Sequence, residues 1–128
     1  MTTAGIGHKG EAAAAKYYMD RGFQLLAHNY HTRQGELDVV VKKDDLVVIC
    51  EVKTRAGAQL GAPCEAVTPV KQRKILLAAR QFLQQYALLD HYIRFDVVEV
   101  VPAAGGWQIH CIPNAFCDRE ISWGKHGF

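Results

Sequence analysis

Two apolar, β-branched runs around a short polar turn constrain the fold of this chain more than any other feature of its sequence. The runs are Leu37–Val41 and Leu46–Val52, and Lys42–Asp45 separate them. Runs of this length and composition predict β-strands, and so short a connection predicts an antiparallel hairpin. A hairpin of this kind must belong to a larger sheet, because two strands alone are at best marginally stable in water.

Charged residues interrupt these strands where a buried sheet would carry valine or isoleucine. Side chains alternate along a strand, so Glu36 and Asp38 share one face, and Glu51 and Lys53 share another. A tight turn between the strands places Asp38 opposite Glu51, and Glu36 opposite Lys53. Directly opposed side chains have Cβ atoms about 5 Å apart. The sequence therefore predicts two carboxylates and a lysine close together at the open end of the hairpin.

Two carboxylates this close need a counter-charge, because they repel each other and lose hydration when the sheet is covered. Mg²⁺ suits the position, since it takes oxygen ligands from one or two carboxylates and keeps several waters. Lys53 is placed to orient a water or to stabilise charge on a phosphate, and this combination suits hydrolysis of a phosphodiester. The alternative is a solvated strand face on which Lys53 forms an ordinary ion pair with Glu36.

The remaining sequence predicts two helices and three further strands. A first helix is predicted over Glu11–Gly22, which is rich in alanine and ends at a glycine. A second helix begins after Thr68, which suits the N-cap, with Pro69 in the first helical position. Its predicted buried face consists of Ile75, Ala79, Phe82 and Tyr86. The other strands are predicted over Phe23–Tyr30, Tyr92–Val101 and Trp107–Ile112, and the Gly-rich segment Arg55–Ala66 is predicted to be a loop.

The order of these elements predicts the fold class. Helix, three strands, helix and two strands form an α/β sandwich around a mixed sheet. The 128 residues fit one compact domain, and a hydrophobic content of 49% is enough for a core. Residues after 116 form a tail to which the pattern assigns no element.

Composition excludes several classes of protein. The longest apolar runs are only a few residues, such as Leu46–Cys50, whereas a membrane-spanning helix needs about 20. The N-terminal segment lacks the apolar stretch of a signal peptide, so we expect a cytoplasmic protein with no membrane partner. No Cys-x-x-Cys spacing occurs among Cys50, Cys64, Cys111 and Cys117. This disfavours structural zinc and a disulfide framework, and favours reduced thiols that partly fill the core.

The distribution of charge says more about partners than the net charge, which is only +2. Between Lys53 and Arg80 the chain carries a single acid, Glu65. A local basic patch of this kind is what phosphate contacts need, although a solvated helix face would produce the same pattern. The predicted nucleic-acid contacts are Arg55, Lys71, Arg73 and Lys74.

The motif Asp38…Glu51-Val52-Lys53 resembles that of the PD-(D/E)XK nuclease superfamily, which has the restriction-endonuclease-like fold. The closer resemblance is to the YraN-like family of bacterial predicted endonucleases, which is similar to archaeal Holliday-junction resolvases. The matching stretches run from Gly7 to Phe116 and are GHKGEAAAAKYY, NYHTRQGELDVVV, VVICEVKTR, VTPVKQRKI, RFDVVEV and IPNAF. The family tends to carry a basic residue after Asn-Tyr, where this chain has His31.

The resemblance implies roles for individual residues. It implies Asp38, Glu51 and Glu11 as catalytic acids that hold weakly bound Mg²⁺ or Mn²⁺, with the Val52 carbonyl as a further ligand. It implies Lys53 as the catalytic lysine. For Glu11, the alternative is an acid that is favoured in the first turn of a helix by the helix dipole.

Two further residues are predicted to lie near the site, one from the resemblance and one from the register of the hairpin. Gln72 extends the buried line of the second helix towards the site, where related nucleases use Gln or Lys, and it is a further predicted nucleic-acid contact. Glu36 is either a supporting partner of Lys53 or a solvated strand end.

Three functions are compatible with these residues. The first is a metal-dependent nuclease that hydrolyses DNA, with branched or single-stranded DNA as candidate substrates. The second is a non-catalytic nucleic-acid-binding module that keeps the nuclease fold, and the third is a small protein-interaction domain. The intact set of Asp38, Glu51 and Lys53 favours the nuclease, because a binding module has no need of acids beside phosphates. Resolvase-like enzymes are often dimers, so the resemblance also implies a homodimer.

Overall fold

The structure is a computed structural model that describes residues 3–55 and 67–116, with side chains from Gly10 onward. Its described part contains two helices and five strands in the predicted order, so the predicted α/β class is confirmed. The bounds are α1 Thr3–Met19, β1 Gln24–His31, β2 Glu36–Lys43, β3 Leu46–Thr54, α2 Pro69–Gln85, β4 Tyr92–Ala103 and β5 Gly106–Phe116. Neither helix has the length and apolarity needed to cross a membrane, within the part of the chain that is described.

The strands form one mixed sheet in the order β1-β2-β3-β4-β5. All neighbouring pairs are antiparallel except β3 and β4, which are parallel. A parallel pair cannot be joined by a hairpin, and helix α2 makes the required crossover between these two strands. In this arrangement the start of α2 lies near the end of β3, and the charged residues of the motif are at that end.

The β2–β3 hairpin has the register that the sequence predicts. Pairing runs from Lys43 opposite Leu46 to Val39 opposite Cys50. The turn needs a residue with positive φ, and Asp44 provides it at 53°. Aspartate tolerates the left-handed region better than most residues because its short side chain can bond locally.

The two faces of the sheet are buried by different helices. Helix α2 covers the face that carries Val47 and Ile49, and helix α1 covers the face that carries Val48 and Cys50. This alternation, continued along β3, turns Glu51 and Lys53 to the α2 side.

Of three predictions about the helices, two need correction and one is confirmed. Helix α1 begins at Thr3, well before Glu11, so Glu11 lies in mid-helix and a favourable position in the first turn does not explain it. Thr68 is the N-cap of α2 and accepts a hydrogen bond from the Lys71 N–H, as predicted. The predicted burial of Tyr86 is wrong: it is the C-cap residue and is 53% exposed, since the helix ends before completing another buried turn.

Some predictions fall outside the described residues. Most of the predicted loop, residues 56–66, lies outside them, as do the tail 117–128 and the residues Cys64 and Cys117. Of the cysteines that are described, Cys50 is buried and Cys111 is half-buried, and both are free thiols.

Candidate active site

A cavity of about 740 Å³ opens where the ends of β2 and β3 meet the start of α2. Both strand carboxylates of the sequence motif line it, together with Glu11 from α1. Glu11 therefore reaches the cavity from the helix on the opposite face of the sheet. The cavity also contains basic side chains, which are His31, Arg33, Lys71 and Lys74.

The cavity begins where the ladder between β2 and β3 ends. The last pair of directly opposed residues is Val39 with Cys50. Beyond it, Asp38 Oδ2 accepts a hydrogen bond of 2.9 Å from the Val52 N–H. A side-chain oxygen thus takes the place that a backbone carbonyl would occupy in a continuing ladder. This bond holds Asp38 at the point where the strands separate.

Asp38 and Glu51 interact strongly. The pKa of Asp38 is raised to about 8. Burial is the largest cause of this rise, and the negative charge of Glu51, a hydrogen bond with Glu51 and the charge of Glu11 contribute to it. The hydrogen bond from the Val52 N–H opposes it. Near neutral pH and without a cation, Asp38 therefore keeps its proton, as expected for two crowded carboxyl groups.

Glu51 is the most enclosed of these acids and is in contact with two lysines. Its side chain is 6% exposed; its Oε1 lies 2.6 Å from Lys71 Nζ and 3.8 Å from Lys53 Nζ. Burial lowers the pKa of Lys71, but its hydrogen bond to Glu51 and the charge of Glu51 outweigh burial, and the net pKa is raised. Sequence reasoning assigned Lys71 to phosphate contact and missed that it reaches Glu51.

Two glycines allow backbone segments to close around the cavity. A Cβ on Gly10 would collide with Thr54 Oγ1 and would lie 3.0 Å from a Val100 methyl group, so only glycine lets α1 lie this close to β3 and β4. A Cβ on Gly35 would lie 2.8 Å from the Lys74 carbonyl oxygen. The first contact brings Glu11 to the cavity, and the second holds the β1–β2 turn against α2.

The β1–β2 turn is organised by Thr32. Its hydroxyl oxygen accepts hydrogen bonds from the N–H groups of Gln34 at 3.1 Å and Gly35 at 3.0 Å. The turn places Arg33 at the cavity, a residue that sequence reasoning missed. The available signal was a basic residue in the turn immediately before the strand that carries Asp38.

Several residues predicted for the site have contacts elsewhere. The Gln72 side-chain amide donates to the Val67 carbonyl at 2.8 Å, and Arg55 Nε lies 2.9 Å from Glu99 Oε2. Arg73 is exposed on α2 and does not line the cavity, whereas Lys74 does.

Glu36 lies at the cavity and contacts a neighbour on β1. Its carboxylate is 3.0 Å from His31 Nδ1, and both side chains are more than half exposed. Of the two roles considered for Glu36, this contact is the one expected at a solvated strand end.

The donor set fits a divalent cation bound by few protein ligands. Among the described residues, no group of three His, Cys, Asp or Glu side chains is arranged to hold a metal ion. Mg²⁺ does not need one, because it is commonly held by one or two carboxylates with waters completing the octahedron. Asp38 and Glu51 are hard oxygen donors whose crowding, seen in the raised pKa of Asp38, a cation would relieve.

Comparison with known proteins gives a consistent family assignment. A UPF0102 protein of Desulforapulum autotrophicum is 41% identical over 111 residues, covering 87% of this chain and 92% of the relative. One from Syntrophomonas wolfei is 43% identical over 111 residues, covering 87% and 96%. One from Anaeromyxobacter dehalogenans is 38% identical over 111 residues, covering 87% and 83%. The model of the uncharacterised protein family UPF0102 matches residues 10–100, a span that includes Glu11, Asp38, Glu51 and Lys53, and the chain belongs to this family.

Proposed function

We propose that this protein is a metal-dependent nuclease that hydrolyses phosphodiester bonds in DNA. The observation that carries the proposal is the convergence of Asp38 and Glu51 at one open cavity, with Lys53 beside Glu51. A solvated strand face would not crowd two acids until burial and mutual repulsion raised the pKa of one of them to about 8. Such strongly shifted groups in a cavity are typical of functional sites.

The proposed cation is Mg²⁺ or Mn²⁺, held by Asp38 and Glu51 with the Val52 carbonyl as a further oxygen donor. Glu11 is included in the proposed site as a nearby negative charge, because the described acids are not arranged as three ligands of one metal ion. When bound, it would polarise the phosphoryl group and lower the pKa of a coordinated water. Glu11 lies in mid-helix and also adds negative charge at Asp38, which supports its inclusion.

The basic side chains in and beside the cavity have separate tasks in this proposal, and Lys53 is placed beside the cavity by its contact with Glu51. Lys53 stabilises the charge that develops on the phosphate at the reaction centre. Arg33 and Lys74 line the cavity and bind phosphates of the nucleic-acid backbone. His31 also lines the cavity and is a further candidate for phosphate contact.

The fold supports the same proposal. The element order and the mixed sheet are consistent with a restriction-endonuclease-like fold, and the motif lies at the strand ends where its acids converge. We therefore propose that the family belongs to the PD-(D/E)XK superfamily. The other candidate is a nucleic-acid-binding module with this fold and without catalysis.

The test is incubation of the protein with linear, flapped, single-stranded and four-way-junction DNA, with Mg²⁺, with Mn²⁺ or with chelator. The comparison protein is Asp38→Asn, which removes a proposed ligand and keeps nearly the same shape. We expect cation-dependent cutting of at least one DNA by the wild type, absent in chelator and in Asp38→Asn. Binding without cutting by both proteins would favour the non-catalytic module, and cutting that persists in Asp38→Asn would reject the proposed site.

A further inference from the structure

Lys71 lies where it neutralises one of the proposed metal ligands. Its Nζ is 2.6 Å from Glu51 Oε1, much closer than Lys53 Nζ at 3.8 Å. A carboxylate that is 6% exposed is costly to leave uncompensated, so the Lys71 ammonium is its main counter-charge in this structure.

The position of Lys71 on α2 allows its side chain to leave Glu51 while its backbone stays in place. The residue lies in the first turn of α2, where its N–H is bonded to the N-cap Thr68. Its side chain is 46% exposed, whereas Glu51 is enclosed. The backbone is therefore held, while the long and flexible side chain can swing towards solvent or towards a ligand in the cavity.

A divalent cation bound at Glu51 Oε1 would compete with the Lys71 ammonium, which contacts that oxygen in this structure. A cation bound to Glu51 would lie close to the Lys71 ammonium, and the two positive charges would repel each other. The cation would also balance the negative charge of Glu51, which Lys71 otherwise neutralises. Displacement of Lys71 in turn leaves an ammonium group beside a cavity that we propose receives phosphates.

We propose that Lys71 is a tethered cation that substitutes for the metal in the metal-free protein and is released to the nucleic-acid phosphate when metal binds. This inference rests on the proposed function. It makes metal and nucleic acid bind cooperatively, since a phosphate that accepts Lys71 frees Glu51 for the metal. By linkage, bound metal must then tighten nucleic-acid binding by the same factor.

The first experiment is calorimetric titration of the protein with Mn²⁺ in the absence of DNA. Lys71→Met removes the ammonium group and keeps an unbranched chain, and Lys71→Arg keeps the charge. Lys74→Met is the matched control, because Lys74 lines the same cavity one turn further along α2. We expect Lys71→Met to bind Mn²⁺ about fivefold more tightly than Lys74→Met, the lower end of ordinary coupling between two ligands. Lys71→Arg should bind as the wild type does.

The direction of the change separates this role from a structural one. If Lys71 only supported the fold of the site, its removal would weaken Mn²⁺ binding or leave it unchanged. Circular dichroism and urea unfolding establish that each variant is folded, and Lys71→Gln replaces Lys71→Met if the latter is not.

The second experiment measures the cooperativity. Fluorescence anisotropy gives the affinity for a short labelled DNA with and without Ca²⁺, an oxygen-binding cation, and a gel verifies that the DNA stays intact. We expect Ca²⁺ to increase the DNA affinity of the wild type and of Lys74→Met more than that of Lys71→Met. Equal enhancement in all three proteins would overturn release of Lys71 to phosphate.

Other outcomes overturn the inference as a whole. Weaker or unchanged Mn²⁺ binding by Lys71→Met relative to Lys74→Met would do so, and so would failure of every variant to bind Mn²⁺. The proposed function is judged separately by cutting of DNA by the wild type. A wild type that cuts, with no effect of Lys71→Met on Mn²⁺ affinity, would refute the tethered cation and leave the nuclease in place.

Discussion

Two carboxylates in this sheet, Asp96 on β4 and Asp38 on β2, have very different surroundings. Asp96 is fully buried and accepts hydrogen bonds from the Tyr18 hydroxyl at 2.7 Å, from Arg94 Nε and Nη2 at 2.9 Å each, and from the Asn114 N–H at 2.9 Å. The Arg94 guanidinium also balances its charge, and the pKa of Arg94 is raised by these bonds. This region is a satisfied polar network that ties β4 to α1 and β5.

Asp38 accepts a hydrogen bond from the Val52 backbone N–H, but its charged neighbour is a second acid, Glu51, instead of a guanidinium. It also lines an open cavity. Burial alone therefore does not identify a functional carboxylate in this protein. What distinguishes Asp38 is that its close charged neighbour is a second carboxyl group, whereas Asp96 has a guanidinium. Paired carboxyl groups of this kind are expected of a cation-binding site.

Lys53→Ala should produce the largest effect, and it should be an effect on function. Removal of one electrostatic donor should lower the rate of DNA cutting by about 10²–10³-fold. The free energy of unfolding should change by less than about 1 kcal/mol, as for a partly exposed ion pair. Single-turnover cutting at saturating protein and urea unfolding measure the two quantities. Lys42→Ala, at the turn end of the hairpin, is the control, and cutting by Lys53→Ala at the wild-type rate would contradict the proposed role.

Asp96→Asn should show the opposite behaviour. It leaves the Arg94 guanidinium without its charged partner, and loss of one member of a buried pair costs about 3 kcal/mol or more. Cutting per folded molecule should stay close to that of the wild type. Urea unfolding of this variant beside Asp44→Asn, at the exposed turn, measures the cost. A stability equal to that of Asp44→Asn would mean that the network has no structural role.

Tyr18→Phe tests one bond of the same network. The hydroxyl donates to Asp96 at 2.7 Å, and burial followed by nearby negative charge raises the pKa of Tyr18 far above its ordinary value. Loss of a hydrogen bond to a charged group should lower the free energy of unfolding by about 1.5–3 kcal/mol. Tyr30→Phe, whose hydroxyl bonds to Gln85 near the surface, should cost less in the same denaturation assay. The reverse order would show that the Asp96 network does not depend on Tyr18.

The Asp38 site should also give the metal-free protein a characteristic pH dependence. The folded-state pKa of Asp38, about 8, is above its ordinary value, so the folded protein keeps a proton that the unfolded chain has lost. The resulting stability is present in full below the ordinary aspartate pKa and is lost as pH rises towards 8. The slope is at most about 1.4 kcal/mol per pH unit.

Urea unfolding in chelator across this range, for the wild type and Asp38→Asn, isolates the contribution of Asp38. We expect the free energy of unfolding of Asp38→Asn to fall less between about pH 5 and pH 8. Parallel curves for the two proteins would contradict the raised pKa.

Glu36→Gln should have the smallest effect on stability and on DNA cutting. It tests whether Glu36 belongs to the reaction centre. Both side chains of its contact with His31 are more than half exposed, so the free energy of unfolding should change by less than about 1 kcal/mol. Cutting should remain much faster than that of Lys53→Ala in the same single-turnover assay. A loss as large as that of Lys53→Ala would instead make Glu36 a supporting partner of the reaction centre.

Local patterns were sufficient to predict the type and order of the secondary-structure elements and much of the candidate site. Strand periodicity and the tight turn predicted the β2–β3 register, which placed Asp38 and Glu51 on neighbouring strands at the open end of the hairpin. Thr68 and Pro69 predicted the start of α2. These features depend on residues that are adjacent in the chain, so the sequence alone contains the necessary information.

The contacts between distant elements were decided only by the tertiary structure. Lys71 meets Glu51, Arg55 meets Glu99 and Gln72 meets the Val67 carbonyl, although the sequence suggested phosphate contact or a place near the site for these basic and amide groups. The sequence determined that acids and lysines would gather where β2 and β3 separate. Which lysine neutralises which acid depended on how closely α2 approaches β3, because an ion pair requires contact within a few ångströms between segments far apart in the chain.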